Sequence, residues 1–146
     1  MRVESEALFA VSPSTCWRVL TDWERQAEWM RDAASVRVLS AEREGIGVRL
    51  AVKTLVLGVP AFTEVLEVTE WRPPERLVVA HRGFVRGDGV WTFEQVGDQT
   101  RFRWAEILSL PIPALGELAL LVYRPFMRAL MGRALRDLAA ALAAEP

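Results

Sequence analysis

Residues 76–110 read RLVVAHRGFVRGDGVWTFEQVGDQTRFRWAEILSL, and the alternation inside this stretch decides the fold. Arg76 and Arg82 share one parity, which turns Leu77, Val79 and His81 to the opposite face of an extended chain. Trp91 and Phe93 alternate with Thr92 and Glu94 in the same way. Further on, Phe102, Trp104, Glu106 and Leu108 alternate with Arg101 and Arg103. Period two with one apolar face is the mark of a half-buried strand. The breaks Arg86-Gly87-Asp88-Gly89 and Gly97-Asp98 are far too short for a parallel crossover, so Arg76–Gly83, Gly89–Val96 and Thr100–Leu110 read as antiparallel neighbours.

The same text extends upstream. Val36–Glu42, Val48–Leu57 and Phe62–Trp71 are extended runs punctuated by Gly45-Ile46-Gly47, Gly58-Val59-Pro60 and Arg72-Pro73-Pro74-Glu75, giving a six-strand meander. A seventh strand, Arg2–Ala10, places Val3, Ser5, Ala7 and Phe9 on one face. Ser12-Pro13 then combines a capping residue with a proline at the first helical position, so a short helix carrying Trp17 and Leu20 starts there, and a second spans Trp23–Trp29. From Tyr123 the period changes: Met127, Leu130, Met131, Ala134, Leu138 and Leu142 recur at steps of three and four, an amphipathic helix that Pro125 kinks or begins. A sheet with one apolar face needs a cover, and this helix is the long amphipathic element that can supply it. The expected class is α+β: a seven-stranded curved antiparallel sheet, two short helices after strand 1, and a long C-terminal helix packed across the sheet.

Bulk composition narrows the function classes. At 146 residues the chain fits a single domain, residues 1–146. A net charge of −1 argues against nucleic acid as a partner. Cys16 and His81 are the only residues of their kinds, which excludes an internal disulfide, a thiolate cluster and a paired-histidine metal site. No phosphate-binding glycine loop is present, and neither a metal nor a cofactor is expected. The N-terminus alternates charges where a leader would be apolar, and the apolar run Leu118–Tyr123 is too short to span a bilayer, so a cytoplasmic location is the default expectation.

Several segments resemble the polyketide cyclase/dehydrase-like branch of the START-like (SRPBCC) helix-grip superfamily, and the resemblance covers essentially the whole chain. They are Val11-Ser12-Pro13-Ser14 through Trp17, Leu20-Thr21-Asp22-Trp23, Trp29, Val68–Leu77, Trp91-Thr92-Phe93-Glu94 and Gly97–Phe102. The resemblance implies a cavity between sheet and helix for lipids, polyketides or other apolar compounds, in a superfamily of carriers, sensors, cyclases, hydrolases and co-chaperones. These segments mark fold more than chemistry, and no subfamily's catalytic motif maps onto this chain.

Strand parity supplies the candidate lining. Hairpin turns centred near Arg86 and between Asp98 and Gln99 would set His81, Trp91 and Glu106 in one row, with Val79, Phe93 and Trp104 in the next. His81 and Glu106 would then lie about 10 Å apart at the backbone, gripping opposite ends of a ligand's polar group or meeting through water rather than bonding directly. Burial would raise the carboxyl pKa and lower that of the imidazole, making the pair candidates for acid and base as well as polar anchors. Trp91, Phe93 and Trp104 are candidates for an aromatic ligand wall, and Tyr123, Met127 and Met131 for the helix side of it. Glu64, Glu67 and Glu70 recur every third residue, so either parity turns at least one inward unless a bulge intervenes. Alternate facing separates them, and solvated or edge positions are expected rather than a carboxylate pair. Trp17, Trp23, Trp29 and Trp71 read as core, and Cys16 as buried and inert.

The leading expectation is a carrier or sensor for a small apolar or aromatic ligand. The rivals are a cyclase- or dehydratase-type enzyme using His81 and Glu106, and a protein- or membrane-interaction module. The last rests on Leu118-Ala119-Leu120-Leu121-Val122, apolar around the full helical circumference, which a single helix on a sheet cannot bury and which suggests a lid, a homodimer contact or membrane touching.

Overall fold

The alternating runs become strands β1 (Arg2–Phe9), β2 (Ala33–Val38), β3 (Arg49–Val56), β4 (Val59–Arg72), β5 (Arg76–Arg82), β6 (Arg86–Val96) and β7 (Gln99–Ser109). The helices are α1 (Pro13–Leu20), a 3₁₀ turn at Trp23–Glu28, and α2 (Leu115–Ala143). This is a computed structural model, and it describes residues 1–144. All seven strands form one antiparallel sheet in the order β1-β7-β6-β5-β4-β3-β2, so β2 to β7 are a true meander and β1 closes against its last member. The sheet curls around α2, the α+β helix-grip arrangement expected.

Local chemistry starts α1 where sequence reasoning puts it. Ser12 Oγ accepts the Thr15 amide at 3.3 Å and Pro13 occupies the first turn, capping α1. Gln26 is buried and donates to the Leu20 carbonyl at 2.8 Å, tying the 3₁₀ turn to the end of α1. The core runs from Val3 and Phe9 through Trp23, Leu50, Leu77 and Phe102 to Leu135, Leu138 and Leu142. Trp17, Trp23 and Trp71 share ring contacts, as do Trp29, Trp91 and Trp104.

Four boundaries differ from expectation, and one is β4, which begins at Val59 rather than Phe62 because the turn is Leu57-Gly58. β2 spans Ala33–Val38 rather than Val36–Glu42, because Ser40 Oγ donates to the Glu42 carbonyl at 2.7 Å and accepts the Arg49 amide at 3.0 Å, turning the chain out of the sheet. β6 begins at Arg86, so Arg86-Gly87-Asp88-Gly89 is strand and the turn is Gly83-Phe84-Val85. α2 begins at Leu115, eight residues before Tyr123, and carries Pro125 inside it. The carbonyl that Pro125 cannot pair belongs to Leu121, on a solvent-exposed part of the helix where water can take the bond. This first third of α2 leaves Leu118, Leu121 and Val122 exposed while Leu120 is buried.

The hairpin registers also differ. β5 and β6 pair Leu77 with Trp91, Val79 with Gly89 and His81 with Gly87. β6 and β7 pair Gly89 with Glu106, Trp91 with Trp104 and Phe93 with Phe102. The rows are therefore Val79–Gly89–Glu106 and Leu77–Trp91–Trp104, not His81–Trp91–Glu106 and Val79–Phe93–Trp104. Both offsets are even, so every facing read from parity survives while the residues opposite one another change.

Candidate functional site

The corrected register creates the site. On the inner face β6 presents Gly87 opposite His81 and Gly89 opposite Glu106, and the absence of a side chain at Gly89 leaves the space between His81 and Glu106 open. A Cβ on Gly89 would lie 3.1 Å from both carboxylate oxygens of Glu106 and 3.2 Å from Val79, and one on Gly87 would collide with the Ile107 carbonyl oxygen. Over this gap His81 Nε2 reaches Glu106 Oε2 at 3.1 Å, a direct bond where opposite ends of a ligand were expected. On the other side His81 Nδ1 meets Glu64 Oε1 at 3.0 Å.

Each carboxylate has a second donor. Thr54 Oγ1 donates to Glu64 Oε2 at 2.9 Å, and Trp104 Nε1 donates to Glu106 Oε1 at 2.9 Å. With an acceptor at each ring nitrogen the imidazole donates from both, which is the protonated form. Burial works against that charge, yet the hydrogen bonds to Glu106 and Glu64 outweigh it, and the His81 pKa is pushed up to about 10. The expectation that burial would lower it fails because the partners dominate.

Asp32 completes the polar end. It follows the 3₁₀ turn, and its backbone carbonyl accepts the Leu55 amide at 2.8 Å, fixing the carboxyl over the open end of β3. Burial first, and then the charges of Glu106 and Glu64, push its pKa up to about 6, with its own amide and His81 pulling the other way. Burial and the Asp32 charge likewise raise the Tyr123 phenol.

A pocket of about 260 Å³ opens from this cluster between the sheet and α2. Its walls are mostly apolar: Leu55, Val56, Phe62 and Leu108 from the strands, Phe84 and Val85 from the β5–β6 turn, and Leu120, Leu130 and Ala134 from α2. His81, Trp104, Glu106, Tyr123, Met127 and Met131 all line it. Trp91 lines only a smaller recess of about 60 Å³ on the far side of the same acidic residues. Phe93 lies in the core, with ring centroids 5.3 Å from Trp17 and 5.1 Å from Phe102.

Sequence reasoning missed Asp32, Thr54 and Glu64. Glu64 was readable, since it shares parity with Leu66 and Val68 on β4. A bulge at Thr69 then shifts the strand by one: Val68 pairs with Val79 but Glu70 with Val78. That turns Trp71 inward and Glu70 outward onto Arg72 and Arg76, while Glu67 meets Arg82. Solvated positions hold for two of the three glutamates and not for Glu64. Asp32 lies outside any periodic run and left no signal.

The comparisons agree with the architecture. The family model described as "Polyketide cyclase / dehydrase and lipid transport" matches residues 1–144. The chain belongs to that family. Its sheet-and-helix grip is that of START-like proteins, and solved structures share it across nearly the full chain. TTHA0849 from Thermus thermophilus superposes with a TM-score of 0.80 at 22% identity, covering 99% of this chain and 98% of that one. The di-domain ARO/CYC StfQ from the steffimycin biosynthetic pathway gives 0.75 at 17% identity, covering 97% of this chain and 50% of that one. A START superfamily protein from Mycobacterium smegmatis gives 0.60 at 19%, covering 97% and 93%. No curated protein sequence matches the chain. Among the described residues no helix is long and apolar enough to cross a membrane.

Proposed function

We propose that this family member is a carrier or sensor that binds a small, largely apolar or aromatic molecule between its sheet and α2. The observation that supports this reading is the pocket of about 260 Å³, apolar along its walls and closed at one end by Asp32, Glu64, His81 and Glu106. Such a site, with a few convergent polar groups in an apolar cleft, is the usual form of a small-molecule site. The polar end orients the ligand and the walls supply affinity. The test is fluorescence titration with N-phenyl-1-naphthylamine, a neutral apolar probe, alongside denaturing extraction of protein purified from its own host. Saturable one-to-one binding that Ala119→Trp removes by filling the pocket mouth supports the reading. Absence of binding together with an empty extract overturns it.

One observation favours a second reading, an enzyme of the cyclase or dehydratase kind. Asp32 changes protonation near neutral pH inside the pocket, which suits a general acid or base. His81 does not suit that role, because both its nitrogens are engaged by carboxylates. On this reading Asp32→Asn abolishes turnover of a polyketide-like substrate and leaves its binding intact; equal turnover by wild type and variant removes it.

A further inference from the structure

The hydrogen-bonding inventory of the polar end is lopsided. His81 spends both N–H groups on Glu64 and Glu106, Trp104 spends its indole N–H on Glu106, and Thr54 spends its hydroxyl on Glu64. Arg31, at the rim, is paired with Asp137. Apart from the Tyr123 hydroxyl, which can donate or accept, what faces the open pocket is acceptor capacity. Each glutamate oxygen keeps a free lone pair. The Asp32 carboxyl, withdrawn from bulk water, receives no hydrogen bond from another side chain among the described residues. Around Asp32 stand Glu64 on β4, His81 on β5, Glu106 on β7 and Tyr123 on α2, three carboxyls against one imidazolium.

We propose that this end of the pocket is an ammonium site: it takes the protonated amino group of an aromatic or aliphatic amine, with Asp32 as counter-ion and the apolar body lying along Phe62, Trp104 and Met127. The inference rests on the pocket binding a small apolar molecule and names the class of that molecule. An ammonium brings donors and no acceptor, the complement of what the pocket offers. It also supplies a second positive charge where three carboxyls share one imidazolium. A ligand carboxylate or phosphate would face the same three acids and be repelled. A metal ion is not the cation in question, since among the described residues no three His, Cys, Asp or Glu side chains are placed to hold one.

The test uses three isosteric probes on the whole protein at pH 8: 1-naphthylmethylamine, 1-naphthylmethanol and 1-naphthoate, each displacing N-phenyl-1-naphthylamine. The amine is expected to bind about tenfold or more tightly than the alcohol, as a charge-assisted hydrogen bond implies, with the acid weakest. Asp32→Asn should erase the preference for amine and leave the alcohol unchanged. On wild type, lowering the pH from 8 to 5 should weaken the amine as Asp32 takes up a proton, and leave the alcohol unaffected. Equal affinity for amine and alcohol, or a preference that survives both Asp32→Asn and acidification, overturns the ammonium site while leaving the pocket standing. If neither the three probes nor the neutral reporter binds, the pocket reading falls with it.

Discussion

The two ends of the sheet's inner face follow the same alternation and are filled in opposite ways. Beside α1 the inward positions hold Trp71, Phe93 and Phe102, which pack with Trp17 of α1 ring against ring with centroids 5.0–5.3 Å apart in three successive pairs. At the other end β6 offers Gly87 and Gly89, and the space above them is taken by His81 reaching between two carboxylates. One end is closed by volume, the other by charge. The difference teaches that parity decides which residues enter the core, while register and residue size decide whether they meet. The aromatic end packs the core, and the charged end borders the pocket between sheet and α2.

The contrast can be broken or sharpened by substitution. The largest effect is expected at the aromatic end, where Phe102→Ala should cost about 3–5 kcal/mol in urea unfolding, because a fully buried ring leaves a cavity its neighbours cannot close. Next comes the charged end. His81→Phe strands two buried carboxylates and should cost about 3 kcal/mol at pH 7. For the wild type the sign follows from the raised pKa. The stability His81 contributes is complete below about 6.5 and is lost as the pH rises through about 10, a decline in Tm that His81→Phe should abolish.

A smaller effect is expected between the two strands. Gly89→Ala forces the Glu106 carboxylate aside by a few tenths of an ångström and should cost about 1–2 kcal/mol. Because His81 is the only imidazole, its NMR signal is unambiguous: silent from pH 5.5 to 8.5 in the wild type, and titrating at a lower pH in Gly89→Ala. Asp32→Asn should run the other way, stabilising by up to about 3 kcal/mol at pH 8, the equivalent of its rise in pKa. A carboxyl whose pKa is raised from 3.8 to about 6 burdens the fold fully above pH 6 and not at all below 3.8, so the gain should vanish at acid pH. Least affected is the exposed shoulder of α2, where Leu121→Ser should change stability by less than about 0.5 kcal/mol.

Most of the architecture was legible because period and punctuation are local properties. Seven strands, the Ser12 cap and the long amphipathic helix follow from residues a few positions apart. The site was less legible because it depends on where a turn closes. Placing the β5–β6 turn at Gly83–Val85 instead of around Arg86 exchanges Trp91 for Gly87 opposite His81, and centring the β6–β7 turn on Gly97-Asp98 rather than between Asp98 and Gln99 exchanges Trp91 for Gly89 opposite Glu106, with every facing intact. Gly87 read as loop and Gly89 as the first residue of a strand, when both lie inside β6 and Gly89 gives way to two charged neighbours. The bulge at Thr69 had the same effect on β4, leaving Glu64 inside and sending Glu70 out. Asp32 is positioned by a single carbonyl–amide contact to Leu55, a long-range fact that no window of sequence contains.

The bridge across Gly87 and Gly89 gives this chain a written signature. A histidine near the end of one strand, glycines at alternate positions early in the next, and a glutamate midway along the third can be searched for as text, with the threonine and glutamate of Thr54 and Glu64 upstream as a check. Where a helix-grip chain carries a bulky residue in place of the second glycine, the histidine and the far glutamate are held apart, and a side chain at the first runs into the backbone of the third strand. Two missing side chains thus become a marker that sorts chains of one shape by the chemistry their interiors can hold.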